Sequence, residues 1–446
     1  MTPLPCGGVG PYRECVHPVS ERIRDARERS GLSQADLARA AMMHPSYVSH
    51  LERGVRGPGD GALERLARAL GVTTTYLEQG ERSPEYQASE AAVVRARQLV
   101  RAGRAAEAVT ELAAVRLGSL DVDQCARVLL AYAEALDLAG DLEASVEVLA
   151  DATRRLTAGH RPRRAAYAAT RLVMALTEAG DLHGAVRAGE DHVAALGAGA
   201  AGTDELFRLE STLVWAYVAR GDVTYARVRG DDLLARALVH GSARAVWSVH
   251  WNLAFVDDAL GDADDALAHL RAALSIAGGE EAERDVPRLR LDLAHLLLAV
   301  TPARPREALA ELDAASTALE VSESQVELAR AATIRSRALL VLGQNRDALV
   351  HAARAAEMLA AGERRDAAAA HEALGDALLA AGERAAAIKA YRQVEDRLDV
   401  TPAGRPAALA WRRLGDRLRL AGDDRARVAA AYRRALDAAG VGTTRR

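Results

Sequence analysis

Eight glycines, Gly103, Gly140, Gly180, Gly221, Gly261, Gly343, Gly382 and Gly422, stand 37 to 41 residues apart, with one double interval between Gly261 and Gly343. Their surroundings repeat as well, in RAGRAAEAV, LAGDLEAS, EAGDLHGAV, ARGDVTYAR and ALGDADDAL, then in VLGQNRDAL, AAGERAAAI and LAGDDRARV. The double interval holds TPARPREALAEL at 301, a proline-bearing version of the same junction, which makes nine units. A period of this length reads as helix, tight turn, helix. Such a unit cannot bury its faces alone, so neighbours must stack into a superhelix with a concave groove. Half of the residues are apolar, yet only two are Phe, and alanine abounds, which suits closely packed helices. No alternation runs long enough to suggest a sheet.

The units resemble tetratricopeptide repeats, with small Ala and Gly at the close helix contact. Leu374-Gly375, Gly382, Ala387 and Tyr391, and then Trp411, Leu414-Gly415, Gly422, Tyr432 and Ala435-Leu436, are the clearest copies. The usual period is about 34, so these units are longer, and several lack large aromatic residues. HEAT-like repeats have a similar length, but the Gly-Asp turn followed by Ala favours the tetratricopeptide kind. Within the array, Trp247, Trp251 and Phe255 form one stripe at four-residue spacing. Two uses stay open for it: packing on the next repeat, or lining the groove. Asn252 stands where tetratricopeptide first helices often carry a groove-facing Asn, whose amide can donate to and accept from a peptide backbone. Arg208, Trp215 and Arg290 on neighbouring first helices complete the candidate effector site.

Residues 32 to 54, LSQADLARAAMMHPSYVSHLERG, have different spacing. Ser33 is an N-cap for QADLARAA, and Pro45 suits the first position of a second helix because its missing N–H has no intrahelical partner there. Leu37, Val48 and Leu51 face a core with Ile23, Ala26, Leu63, Leu66, Ala67 and Leu70, and Gly71 ends a helix. This is the pattern of a helix-turn-helix.

The stretch from about 19 to 80 closely resembles the lambda-repressor-like, or XRE, family of DNA-binding domains. The resemblance rests on Arg27, Gly31-Leu32-Ser33-Gln34, Leu37-Ala38, Ser46-Tyr47-Val48-Ser49, Leu51-Glu52-Arg53-Gly54, Arg56, Pro58 and Leu66 to Val72. It implies that Gln34 and the amide end of the second helix contact a phosphate. It also implies that Pro45, Ser46 and His50 project toward base edges, with Tyr47 and Ser49 beside them, while Arg53 and Arg56 hold the backbone. Only Ser46 and His50 of the three base-facing residues can hydrogen-bond a base, so DNA shape or a second subunit must add specificity. The family usually places Gly in the turn where this chain has Met42-Met43-His44, which predicts a rebuilt or strained turn.

Residues 17 to 82 carry ten Arg against nine Asp and Glu, and the whole chain is at −4. With no broad basic field, binding is expected to rest on placed arginines: Arg22, Arg24, Arg27 and Arg29 on the first helix, then Arg53 and Arg56. Cys6, Cys15 and His17 in the N-terminal tail match no standard zinc spacing, so no metal is expected. No cofactor, signal peptide or membrane-spanning run is evident, and a cytoplasmic protein, at the nucleoid when bound to DNA, is expected.

The expected organisation is all-α: a flexible tail at 1–18, a five-helix DNA-binding domain at 19–80, a linker at 81–90, about nine helix pairs over 91–440, and a tail at 441–446. An XRE-type head on a tetratricopeptide array resembles the RRNPP peptide-sensing, or quorum-sensing, transcriptional regulators. That resemblance implies a homodimer that binds double-stranded DNA at two half-sites and takes a short peptide or protein effector in its groove. The second reading is a scaffold that binds partner proteins, with DNA binding secondary or lost. An enzyme is not expected, since no nucleophile, base and orienter cluster or phosphate-cradling glycine loop stands out.

Overall fold

The computed structural model describes residues 18–59, 61–80, 82–278, 285–322, 324–359, 365–399 and 403–441. Cys6, Cys15 and His17 lie outside them. Among the described residues the chain is helical throughout, with no strand. Five helices make a head: α1 (Pro18–Arg29), α2 (Gln34–Ala40), α3 (Pro45–Glu52), α4 (Ala62–Leu70) and α5 (Thr74–Gln79). Ile23, Leu37, Val48, Leu51, Leu66, Leu70 and Leu77 are buried together at their centre, and Leu63 is partly buried. Each such side chain contributes about 1.5–3 kcal/mol on burial.

Nine antiparallel helix pairs follow, a tetratricopeptide-type solenoid. The first helices are α6 (Pro84–Arg101), α8 (Val122–Ala139), α10 (Pro162–Glu178), α12 (Asp204–Arg220), α14 (Ala243–Leu260), α16 (Val286–Ala299), α18 (Gln325–Val341), α20 (Arg365–Ala380) and α22 (Arg405–Ala421). The second helices are α7 (Ala105–Ala113), α9 (Leu142–Ala158), α11 (Leu182–Ala200), α13 (Val223–His240), α15 (Ala263–Ile276), α17 (Pro305–Ser322), α19 (Asn345–Met358), α21 (Arg384–Asp399) and α23 (Arg425–Ala438). All eight junction glycines take positive φ, and Gly221 is the most extreme at 106°. An L side chain in the left-handed region costs about 1–2 kcal/mol, so the repeat of glycine follows from the repeat of the turn. The junction at 301, which has no glycine, turns through Arg304, whose N–H donates to Leu297 O at 2.7 Å.

Small residues set the distance between paired helices. Gly375 faces the ring of Tyr391, so close that a Cβ would overlap Cε1 and Cδ1, and Gly415 faces Tyr432 with a Cβ-to-Cε1 distance of 2.8 Å. Tyr391 is fully buried and donates its hydroxyl to Asp376 Oδ1 at 2.8 Å.

The segment at 81–90 differs from the expected linker. Ser83 caps α6 by accepting from Tyr86 N at 3.1 Å, and Pro84 occupies the first helical position, so most of the segment is the start of the array. The physics is that of Pro45: a proline with no N–H opens a helix as readily as it ends one. The angle between head and array is not left loose either. Asp123 accepts from Ser30 Oγ and Arg161 Nε, both at 3.1 Å, and pairs with Arg164. Arg161 reaches on to Ala69 O at 3.2 Å, and Arg164 reaches Arg29 O. Arg82 lies between the rings of Tyr76 and Tyr86, at 4.3 and 4.0 Å from their centroids.

Substituting Gly375→Ala forces its new methyl against a fully buried ring, an overpacking change that costs about 1–3 kcal/mol. Urea unfolding of the full chain is expected to show that loss, with helix content unchanged below the transition.

Candidate DNA interface

The candidate surface begins with two helix starts. Ser33 Oγ accepts from Asp36 N at 3.1 Å and Asp36 Oδ2 accepts from Ser33 N at 3.3 Å, a reciprocal cap on α2. The Ser33 hydroxyl also holds the Asp36 carboxyl below its usual range. At α3, His44 is the N-cap, and its Nδ1 accepts from Ser46 N at 3.3 Å and lies 2.7 Å from Ser46 Oγ. Pro45 is the first helical residue, as its sequence position requires. Between the helices, Met42 sits at φ 55°, in the left-handed region where the family usually has Gly. The turn keeps its shape and a residue with a Cβ bears the strain.

Behind α3 lies a buried carboxylate. Glu52 is 1% exposed and receives three donors: Arg27 Nε at 2.5 Å, Arg27 Nη2 at 3.0 Å and Gln34 Nε2 at 2.8 Å. Hydrogen bonding to Glu52 raises the Arg27 pKa against the opposing effect of burial. Arg24 adds a bond to Glu52 O at 2.6 Å. One acidic side chain thus ties α1, α2 and α3 together.

The first-helix arginines are therefore internal fastenings rather than a row of free cations. Arg22 caps the end of α5 through Leu77 O at 3.1 Å and Glu78 O at 2.6 Å, and Arg29 donates to Tyr76 Oη and Asp25 O. A guanidinium satisfies the unpaired carbonyls at a helix C-terminus and favours its dipole, which explains the placement. Gln34 likewise directs its amide to Glu52.

On the outer side of α3, Pro45, Ser46 and His50 are exposed together, and Arg53 and Arg56 are exposed beyond its end. Tyr47 and Ser49 are half-buried. Tyr47 Oη accepts from Gly59 N at 3.0 Å, with Arg56 over its ring at 5.5 Å, and Arg53 Nε donates to Ser49 O at 3.2 Å. The head meets the array through Ser30, Arg29 O and Ala69 O, so docking leaves this outer side of α3 open.

The second candidate site is divided by the structure. Trp247 is buried in the core of the array, 5.9 Å from Trp251 between ring centroids, which is the packing use of the stripe. Trp251 is half-buried and donates Nε1 to Asp292 Oδ2 at 2.8 Å. Asn252 donates to Ser211 Oγ at 2.8 Å and Ser248 O at 3.1 Å, joining α14 to α12 instead of presenting its amide to the groove. Arg290 pairs with Glu311 at 2.5 Å. Arg208, Trp215 and Phe255 are half-buried on α12 and α14. Among the described residues no group of three His, Cys, Asp or Glu is placed to hold a metal ion, and no helix is long and apolar enough to cross a membrane.

The helix-turn-helix family model HTH_3 matches residues 23–77. Residues 23–77 are a helix-turn-helix domain of the XRE type. The HTH-type transcriptional regulator DdrOP3 of Deinococcus deserti is 40% identical over 62 residues, 14% of this chain and 48% of that protein. The uncharacterized HTH-type transcriptional regulator y4dL of Sinorhizobium fredii is 38% identical over 52 residues, 12% of this chain and 26% of that protein. The chain thus spans about half and about a quarter of the lengths of these two relatives. The apo form of the quorum sensor NprR from B. thuringiensis has a similar fold, with a TM-score of 0.51 at 11% identity over 85% of this chain and 99% of that one.

Two substitutions separate strain from support in the head. Met42→Gly relieves about 1–2 kcal/mol of left-handed strain against about 0.5–1 kcal/mol of added chain entropy, so a small net gain in thermal stability is expected. Glu52→Ala removes the carboxylate that Arg27 and Gln34 share, leaving Arg27 with Leu32 O and Glu28, and is expected to cost about 1–3 kcal/mol, read by urea unfolding.

Proposed function

We propose that this protein is a sequence-specific DNA-binding transcriptional regulator that acts as a homodimer, with a peptide or protein effector in its repeat groove modulating DNA binding. The observation that carries this reading is the open side of α3: Pro45, Ser46 and His50 stand exposed on a helix fixed from behind by Glu52, with Arg53 and Arg56 at its rim. A short helix held this way enters the major groove with its N-terminal residues at base edges and its flanking cations on phosphates. Both curated relatives bear the name of HTH-type transcriptional regulators, and what they share with this chain is the head.

Two heads are needed because one offers little direct readout. Ser46 and His50 alone can hydrogen-bond bases, and the fixed arginines of α1 leave few cations for phosphate. A dimer doubles both terms and requires an operator with two half-sites. Since the head is docked on α8 and α10 through Asp123, Arg161 and Arg164, a change in the curvature of the array moves the heads with it. An effector in the groove acts by that route. The protein is read as a regulator rather than an enzyme, working in the cytoplasm and at the nucleoid when bound.

Fluorescence anisotropy with DNA from upstream of the gene tests the reading. Ser46→Ala combined with His50→Ala is expected to weaken specific binding by at least about tenfold, while Arg53→Ala weakens binding to all sequences alike and reduces the salt slope by about 1. A full chain that stays monomeric and ignores this DNA at low salt would falsify the proposal.

A further inference from the structure

The first helices in the second half of the array form a closed circuit. α12 touches α14, Trp251 of α14 bonds to Asp292 of α16, and α16, α18, α20 and α22 touch in turn. α22 then returns to α12, and Arg405 Nη2 donates to Ala259 O on α14 at 2.6 Å. His295 on α16 lies near several of the circuit's charges. Solvent reaches it, yet desolvation by the surrounding walls, together with the charges of Arg337, Arg330 and Arg413, pushes its imidazole down to about 3. Arg413 belongs to α22, three first helices further on, so its charge is felt at His295 from a distant part of the sequence.

Four guanidiniums converge there, two from each of two helices at same-face spacing: Arg330 and Arg337 on α18, and Arg413 and Arg417 on α22. Three carboxylates answer them. Asp292, fixed by Trp251, pairs with Arg330. Asp376, fixed by the buried Tyr391 hydroxyl, accepts from Arg417 Nε at 2.8 Å and Nη2 at 2.9 Å. Glu372, 4% exposed, is shared by Arg337 at 3.2 Å, Arg413 at 3.6 Å and Arg417 at 3.8 Å.

Arg417 has Asp376 as well, so sharing Glu372 leaves Arg337 and Arg413 short of partners. Arg337 Nε is closed off from solvent and has no hydrogen-bond partner. Burial, and the like charges of Arg417 and Arg413, lower the Arg337 pKa against the pull of Glu372. Arg413 is half-exposed and makes no hydrogen bond among the described residues. Here three guanidiniums surround one carboxylate, with Arg413 half-exposed beside it, the arrangement that favours a further carboxylate or other oxyanion.

The geometry points to an anion-binding subsite inside this circuit, centred on Arg413, Arg337 and Arg417, that takes a carboxylate of an acidic effector peptide. It rests on the effector reading above and adds the chemical class of that effector.

The test uses the full chain and fluorescein-labelled hexaglutamate, with hexaglutamine as the uncharged control and inorganic phosphate as competitor. Hexaglutamate is expected to bind and hexaglutamine not. Arg413→Gln is expected to weaken binding about tenfold, Arg413→Lys to retain part of it, and Arg419→Gln, on the same helix but 68% exposed and away from Glu372, to leave it unchanged. All variants should melt close together, since Arg413 is half-exposed and reaches Glu372 only at 3.6 Å. Equal binding by Arg413→Gln, or no discrimination between the two peptides, overturns the subsite. Phosphate that displaces hexaglutamate at equal concentration upholds the oxyanion site and overturns the peptide as its source. Binding through Arg413 without any change in operator affinity removes the effector reading and leaves the subsite standing.

Discussion

The closest approach between paired helices is the constraint from which the rest of the molecule follows. Where Gly375 meets Tyr391 and Gly415 meets Tyr432, the backbone of one helix lies so near a ring of the next that a methyl group has no room. Interiors packed to this density respond to a single methylene, so the array is a stack of fixed spacings rather than a flexible chain of helices. Alanine does the same along the other pairs: Ala133, Ala169, Ala216, Ala254 and Ala352 are all buried and small enough to keep the helices close. Fixed spacing has a geometric consequence, since a constant step per repeat produces a constant curvature. That curvature brings α22 back to α12 and turns a groove into an enclosed circuit.

Polar groups then decide what a small-residue core cannot. The head has a modest apolar centre, and one buried carboxylate, Glu52, orders three of its helices through Arg27 and Gln34. Asp123 performs the equivalent task between head and array, serving Ser30, Arg161 and Arg164. In both places an acidic side chain is fully supplied with donors, the condition under which a buried charge is tolerated. Glu372 is the contrast. It has more cationic neighbours, three, but they are farther away and compete, and the unmet demand falls on Arg337 and Arg413.

Much of this was legible in the sequence wherever a local conformational demand selects a residue type. Positive φ selects glycine at the repeat turns, an orphan amide selects Ser33, and a first helical position accepts Pro45. Met42, standing where glycine is usual, marks a strained turn in the sequence itself. Legibility failed where the deciding partner is distant in sequence. Arg22, Arg24 and Arg27 look like any exposed helix face, and only the arrival of carbonyls and a carboxylate from 25 to 56 residues away shows them to be fastenings. The stretch at 81–90 reads as a linker for a subtler reason: the rule that opens α3 at Pro45 applies equally to Pro84, but the residues around it are polar. Trp247, Trp251 and Asn252 share a helix yet serve three purposes, because each turns to a different neighbour.

The arginines of the circuit were hidden in the same way. Arg330 with Arg337, Glu372 with Asp376, and Arg413 with Arg417 each read as an ordinary same-face pair on an amphipathic helix. Their meaning depends on register, since the three helices must be stacked in order and curved by the right amount before the pairs meet across an interior. Curvature is also the property that the docked head inherits, through Arg161 and Arg164 on α10. A ligand that pulls α18 and α22 together inside the circuit would change the step between repeats, and the same step, carried to the other end of the stack, sets where α3 stands. Binding energy spent on closing the circuit is therefore coupled to head position without any direct contact between the two sites.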